Sequence, residues 1–351
     1  MGFVMRLARI KDGLTSCARL SVTAIGVWGA GCTEDVPPTM SPQIANVEAV
    51  SGPVVGGCCG GGAADPAMNG LRLSLAATDA VPKGDLTGRP TAYFVPFESS
   101  AIALYDGSAW VARTMTATAE VATTGVPSTS YDVYAYWDED DADVRLELVA
   151  TPVTPTLELQ DGVQVKPGDA KRRYVGVVAT SASGSFEDSA KNRLVWNRNN
   201  QVPRAINGNH LDSAWYYTGN QSTWREARGN PASRVTVASG VLNGNVDVAG
   251  TYASVQAAVM CVWNSGATGA FVAAGIGIDS TTDNSAQTVE PSATTAGYYA
   301  HAFSSYEGYL TPGLHTLHWL EIGQTGTTFY CIGSATSPPF GRLGINGMLV
   351  M

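Results

Sequence analysis

The feature that most constrains this chain is a recurrence of short apolar or alternating runs, each closed by Gly, Asn, Ser, Thr or Pro. The runs 71–76, 91–97, 102–105, 110–115, 131–137 and 144–149 have the length of strands, and too few residues for a self-supporting helix. Asp106-Gly107 between two of them is a hairpin signal, because glycine accepts the positive φ of a tight turn. In 131–136, Tyr131, Val133 and Ala135 fall on one side of a strand and Asp132, Tyr134 and Tyr136 on the other, a core face and a polar-aromatic face. With 39 glycines and only 15% charged residues, composition agrees with many short strands, and an all-β fold is expected.

At 351 residues the chain has room for several domains. Residues 1–69 read as an N-terminal arm and connector, because Pro37, Pro38, Pro42, Pro53 and Pro66 with the glycines around Cys58-Cys59 disfavour regular structure. Residues 70–155 read as an antiparallel β domain and 156–230 as a hairpin module, with turns at Asp161-Gly162 and Pro167-Gly168 around a strand at 163–166. Residues 231–351 carry further runs at 234–238, 246–248, 255–263, 271–278, 315–322 and 327–332, which suggest a sandwich or jelly roll. Small residues alternating with apolar ones in 255–260 and 271–278 fit strands approached closely on one face, with neighbouring subunits supplying the second cover.

A formal net charge of -9 speaks against nucleic acid as a partner. The arm differs: Arg6, Arg9, Lys11 and Arg19 face only Asp12 and precede an apolar stretch at 20–30. One reading is an export signal, with Gly29-Ala30-Gly31-Cys32 as a lipoprotein cleavage box; the other is an arm that docks on a partner protein. The stretch is too short to span a bilayer, so no stable membrane insertion is expected. Cys17, Cys32, Cys58, Cys59, Cys261 and Cys331 have neither zinc spacing nor a regular disulfide framework, and Cys58-Cys59 reads as a reduced small-residue turn. The acidic run 138–143 lacks the glycine and terminal Glu of a calcium loop and reads as a solvated hairpin.

Asp161-Gly162-Val163-Gln164-Val165-Lys166-Pro167-Gly168-Asp169, with Asn192-Arg193-Leu194-Val195-Trp196-Asn197, Asn199-Asn200-Gln201-Val202-Pro203-Arg204, Trp215-Tyr216-Tyr217-Thr218 and Thr223-Trp224-Arg225-Glu226-Ala227, forms a recognisable string. It resembles a module of tailed-bacteriophage virion proteins of the tail-fibre or minor structural type, and the likeness extends over residues 70–230. The resemblance implies a structural virion protein, assembled in the host cytoplasm and commonly homotrimeric; no catalytic residues come with it. Arg193, Arg198 and Arg204, interleaved with Trp196 and asparagines, make a patch rich in planar donors and stacking surfaces. It suits a joint between neighbouring chains or between domains, and Trp196, Arg198, Arg204, Trp215 and Trp224 are the interface candidates.

No catalytic site, metal or cofactor is expected. His315 and His318, on a strand, point to opposite faces and cannot share a zinc ion. Glu98, Glu120, Glu147 and Glu187 are the acids from which a glycosidase pair would have to be drawn. Tyr299, Tyr306 and Tyr309 have the flat apolar surface that stacks on sugar rings, and are candidates for contact with a host envelope glycan or protein. The leading expectation is a trimeric tail fibre, anchored to other virion proteins through residues 1–69 and contributing to host attachment. The alternative is a capsid decoration or head-fibre protein clamping shell subunits; a weaker one is an exported surface lipoprotein.

Overall fold

The computed structural model describes residues 63–151, 157–209, 214–229, 234–242, 250–263, 270–293, 296–333 and 343–351. The expectations for the arm up to residue 62, for Cys17, Cys32, Cys58 and Cys59, and for a strand at 246–248 lie outside the described residues. The chain is all-β. Among the described residues the one helical element is the 3-10 turn Ala227–Gly229, and a single parallel pairing, Asn192–Arg193 with Val235–Ser239, interrupts otherwise antiparallel sheets.

Hairpins build the first half. A three-stranded sheet (Leu71–Ser74, Thr91–Pro96, Ala119–Ala122) and the hairpin Ala101–Tyr105/Trp110–Thr114 accompany a larger sheet. In that sheet Asp143–Ala150, Ser130–Asp138, Asp169–Ala179, Val163–Lys166 and Glu158–Gln160 follow in order. The Asp106-Gly107 turn forms as the sequence requires: the Asp106 carboxylate accepts the N–H groups of Ser108 (2.7 Å) and Ala109 (2.9 Å), and Gly107 has φ +107°. The acidic run is a hairpin loop with Asp138 opposite Asp143. Its last member turns inward, where Asp143 accepts Thr116 N–H (3.1 Å), Thr116 Oγ1 (2.7 Å) and Ala117 N–H (3.0 Å).

The second half is a jelly roll. In chain order its strands are Pro203–Asn209, Val235–Ser239, Thr251–Trp263, Phe271–Ile278, Ser292–Ala293, Ala300–Leu310, Gly313–Gly323 and Gly344–Val350. One sheet orders them first, eighth, third, sixth, and the other second, seventh, fourth, fifth. That is the alternating, wrapped order of a double Greek key. Residues of both sheets, among them Val237, Leu317, Trp319, Val255, Ala257 and Ile345, fill one core.

The expected boundaries at 155/156 and 230/231 fall inside sheets. Ser130–Asp138 pairs with Asp169–Ala179 across the first, and the jelly roll starts at Pro203, ahead of the second. Short strands carry the sheet through the junction: Leu86–Arg89 pairs with Phe186–Asp188, then Asn192–Arg193, then the jelly-roll strand Val235–Ser239.

The larger sheet of the first half is covered on both faces. Tyr131, Val133 and Ala135 enter the first core, as alternation dictates, whereas Tyr134, Tyr174 and Val177 enter the jelly-roll core. The polar-aromatic face is therefore buried, which leaves Asp132 only 4% exposed. A bulge between Tyr174 and Gly176 resets the alternation, so that Val175 and Val178, three apart, share a face. Gly176, at φ +157°, admits no side chain there, because a Cβ would lie 2.2 Å from the Trp196 carbonyl oxygen.

Candidate functional site

The described residues that could carry function fall into three places. The first is the junction between the halves. Trp196 lies on Val195–Asn197, which pairs with Gly176–Val178, and its indole is fully buried beside Tyr174 with ring centroids 6.3 Å apart. Its Nε1 donates to the Gly250 carbonyl at 3.1 Å. The jelly roll meets this ring with glycine: a Cβ on Gly240 would sit 2.2 Å from Trp196 Cε3, so close approach requires the bare backbone. Val195 enters the first core while Leu194 and Trp196 enter the second, so this strand is shared by both.

Arginines fasten the junction. Arg204, on the first jelly-roll strand, donates Nη1 to Pro82 O (2.8 Å) and Nη2 to Asp188 Oδ2 (2.6 Å). Arg193 takes the other oxygen of the same carboxylate at 3.0 Å and donates Nε and Nη2 to Ala205 O at 3.0 and 2.8 Å. Arg72 reaches across from the first half, with Nε on Ala80 O at 3.1 Å, Nη2 on the Met351 main-chain oxygen at 3.0 Å, and Nη1 on Asn200 O. Burial, helped by the charge of Arg204, brings the Arg72 pKa down to about 10, so it stays charged at neutral pH. Asn197 completes the seam, accepting Leu73 N–H at 2.6 Å and donating to Leu73 O at 3.3 Å. Arg198 is half-buried and donates Nε to Gln164 Oε1.

Trp196 and Arg204 were expected to face a neighbouring chain or another domain. They are consumed inside the chain, where they seat one half on the other. Trp215 is corrected in the same way: it is buried, edge-on to Trp319 with centroids 5.5 Å apart, and its Nε1 donates to Glu321 Oε2 at 3.2 Å. Trp224 is half-buried, its ring lying where a Cβ on Gly275 would come within 2.7 Å.

The second place is the buried Glu321 with the half-buried Glu226 and the exposed Asp279, acids that sequence reading did not single out. Glu321 is fully buried and accepts Arg225 Nε (3.0 Å) and Nη2 (2.6 Å) and the Arg228 N–H (3.0 Å). Burial pushes its pKa up, against the pull of Arg225. Glu226 holds Arg234 at 2.6 Å and His318 Nδ1 at 2.7 Å, and the Arg234 hydrogen bonds hold its pKa down. His315 instead meets Asp279 at 2.7 Å. The two histidines have separate partners, as strand parity required. Strand pairing brings these groups together from distant sequence, and no local motif announces it. Glu120, Glu147 and Glu187 lie on three different strands, Glu147 occupied by Lys166 (2.6 Å) and Arg172 (2.8 Å), and Glu187 by Ser189 (2.7 Å) and Asn192 (2.9 Å). Among the described residues no three His, Cys, Asp or Glu side chains are placed to hold a metal ion, and no helix is long and apolar enough to cross a membrane.

The third place is the outer face of the jelly-roll sheet centred on Thr251–Trp263. Tyr309 is 58% exposed and packs edge-on against Tyr252 across the ladder, centroids 5.3 Å apart. Tyr306, three residues earlier on the same strand, points to the opposite face, is half-buried, and packs against the core, so it cannot join Tyr309 in one platform. Tyr299 is 49% exposed and precedes that strand. At the far end of the central strand Tyr216, 75% exposed, pairs with Tyr330 at 5.1 Å. Ser254, Gln256, Ser305, Glu307 and Asn346 occupy the middle of the face. Two tyrosine pairs flanking a polar strip are thus the open aromatic surface. Tyr216, Tyr252 and Tyr330 were not selected from sequence, since only the register puts them there.

No protein-family model matches the chain, and no curated protein does. Among solved structures, a chain from the structure of infectious bursal disease virus Gx strain aligns at 10% identity over 80% of this chain and 72% of that one. Its TM-score of 0.20 is too low to carry an argument about fold or function.

Proposed function

We propose that this chain is a non-enzymatic structural component of a tailed-bacteriophage particle, most simply a homotrimeric tail fibre anchored through residues 1–69 and contributing to host-surface attachment. The observation that carries the reading beyond the resemblance of residues 70–230 is the outer face of the jelly roll, where tyrosine pairs flank a strip of Ser, Gln, Glu and Asn. Exposed aromatic planes stack on the C–H faces of sugars while the polar strip hydrogen-bonds their hydroxyls. Jelly rolls serve in both capsid and lectin domains, so the fold is compatible with the role without dictating it. The fused junction supports a load-transmitting part, because a continuous sheet and shared cores leave no free linker between halves.

The test is location on the particle. Antibody raised against residues 231–351 is expected to bind the distal tail and block adsorption to host cells. Labelling spread over the head with adsorption intact would replace the fibre reading with capsid decoration, which the Arg- and Lys-bearing segment before residue 20 favours as a clamp on neighbouring subunits. The intact mass of the particle-derived chain separates both from a lipoprotein cleaved before Cys32.

A further inference from the structure

Among the described residues the buried Arg193 and Arg204 share Asp188, the buried Arg72 donates to carbonyl oxygens within reach of the same Asp188 charge, and the part-exposed Arg225 and Arg234 have Glu321 and Glu226. Arg173 and Arg198 are different. Arg173 is 2% exposed, and its guanidinium donates to carbonyl oxygens, those of Met68 (2.9 Å), Ala103 (2.8 Å) and Ala67 (3.4 Å), and lies 5.8 Å from the centre of the Trp110 ring. Its Nε is buried without a partner. Arg198 reaches Gln164 Oε1, and the Gln164 amide nitrogen is buried and unpartnered as well. Asp65, the carboxylate whose charge reaches Arg173, is exposed, and its Oδ1 accepts Ala67 N–H instead.

Sheet topology explains why these groups meet. Asp169–Ala179 passes its edge from Val163–Lys166, paired at Arg173, to Val195–Asn197, paired from Gly176 onward. At that handover the ladder has a gap, and Arg173, Arg198, Gln164, Tyr174 and Asn199 line a pocket of about 100 Å³. By the roughly 30 Å³ that one water occupies in the liquid, this is room for about three waters, the size class of a small oxyanion. Burial, with the charge of Arg198, lowers the Arg173 pKa only to about 10, so Arg173 remains cationic at neutral pH; burial also lowers Arg198, whose guanidinium is cationic by its ordinary chemistry. Waters can satisfy stray donors, but they leave two like charges together with only the exposed Asp65 carboxylate acting on Arg173.

We propose that this pocket binds a small tetrahedral oxyanion, phosphate or sulfate in size, held by the guanidiniums of Arg173 and Arg198 and the side-chain amide of Gln164. Planar guanidinium forks match oxyanion geometry, and the unused Arg173 Nε and Gln164 Nε2 donors complete the set. A bound anion would neutralise the two charges next to the junction, between Asn199 and the loop carrying Ala67.

Isothermal titration of the full chain with inorganic phosphate, then sulfate, at ionic strength fixed with sodium chloride, tests this. One saturable site per chain is expected, and Arg198→Gln should weaken it at least about tenfold, the size of one lost charge-assisted hydrogen bond. Gln164→Glu is the second arm: it supplies an internal carboxylate, and should abolish anion binding while raising the melting temperature in anion-free buffer. Absence of saturable heat at millimolar anion overturns the proposal, as does a general stabilisation by sulfate without a binding isotherm. So does a Gln164→Glu variant that binds phosphate like the wild type.

Discussion

Before Pro203 the chain closes mostly on near neighbours, whereas after it the strands pair with partners from the far ends of the segment. Ser130–Asp138 meets Asp143–Ala150 through a four-residue turn, and Val163–Lys166 turns directly into Asp169–Ala179. In the jelly roll, Thr251–Trp263 pairs through Tyr252–Ala258 with Gly344–Val350, and Pro203–Asn209 reaches the same terminal strand. The interiors differ too. The first half and the junction bury Arg72, Arg173, Arg193, Asp132 and Asp188, while the jelly roll packs Val, Ala, Ile and aromatic rings around Glu321, His315 and His318, with a disulfide between Cys261 and Cys331. Turns place the first half, and long-range burial, completed by polar clamps at the seam, places the second.

The largest test of that contrast is Asp188→Ala. It strips the shared counterion from two guanidiniums whose side chains are 8% and 7% exposed. An uncompensated buried charge typically costs about 3–5 kcal/mol, read as a shift in the urea midpoint. Since the seam belongs to both halves, both should lose stability in one transition. Two separated transitions, with the jelly roll unmoved, would show that the halves stand alone.

Reduction of Cys261–Cys331 comes next and should act on the jelly roll. The two cysteines lie opposite each other on paired strands and close a loop with a sequence separation of 70, which suits a loss of about 4 kcal/mol. Thermal melts with and without reductant, in wild type and Cys331→Ala, measure it. Cys331→Ala should also be insensitive to reductant; equal sensitivity would assign the effect elsewhere.

Asp132→Asn works in the opposite direction. Burial raises the Asp132 carboxyl to about 6 against the ordinary 3.8, opposed only by the Thr151 hydrogen bond. Because the folded state holds the proton more tightly than the unfolded state, wild-type stability rises as pH falls from 7 towards 4, through this group. Above pH 6 the folded chain bears a buried charge. The amide removes that burden, so the variant should gain on the order of 2 kcal/mol at pH 7, with the gain gone near pH 4. A gain independent of pH would point to packing instead.

How much of this was legible in the sequence divides along the same line. The strand at 271–278 has the observed bounds, and 91–97, 102–105 and 110–115 miss by a residue, because local alternation and turn residues mark them. Ala300–Leu310 and Gly344–Val350 were missed: His301, Ser304, Ser305, Glu307 and Gly308 in one, and two glycines with an asparagine in the other, dilute the alternation. They are strands because Thr251–Trp263 pairs with both. The basic-aromatic string was expected to hold neighbouring chains or seat one domain on another, and Trp196 and Arg204 lie buried within the chain. What it joins was not legible, since Trp196 finds Gly240 and Gly250 only once the jelly roll is wrapped. The disulfide was equally hidden, as its spacing carries no motif.

Tyr309→Ala is the smallest expected change in stability and the sharpest probe of the open face. Tyr309 sits outward on a strand whose inward neighbours, Ala302, Ser304 and Leu310, carry the packing, and among the described residues its ring meets that of Tyr252. Truncating such a side chain should move stability by no more than about 0.5 kcal/mol. If the face binds envelope glycan, adsorption should nevertheless fall, and Tyr216→Ala, at the other end of the same sheet, should lower it further in the double variant. Tyr306→Ala reverses the pattern, because its half-buried ring faces inward against the core and Gly308: stability falls, and adsorption per folded particle holds. Should all three variants adsorb normally while only Tyr306→Ala melts early, the outer face is surface and not receptor site, and host contact belongs to another part of the particle.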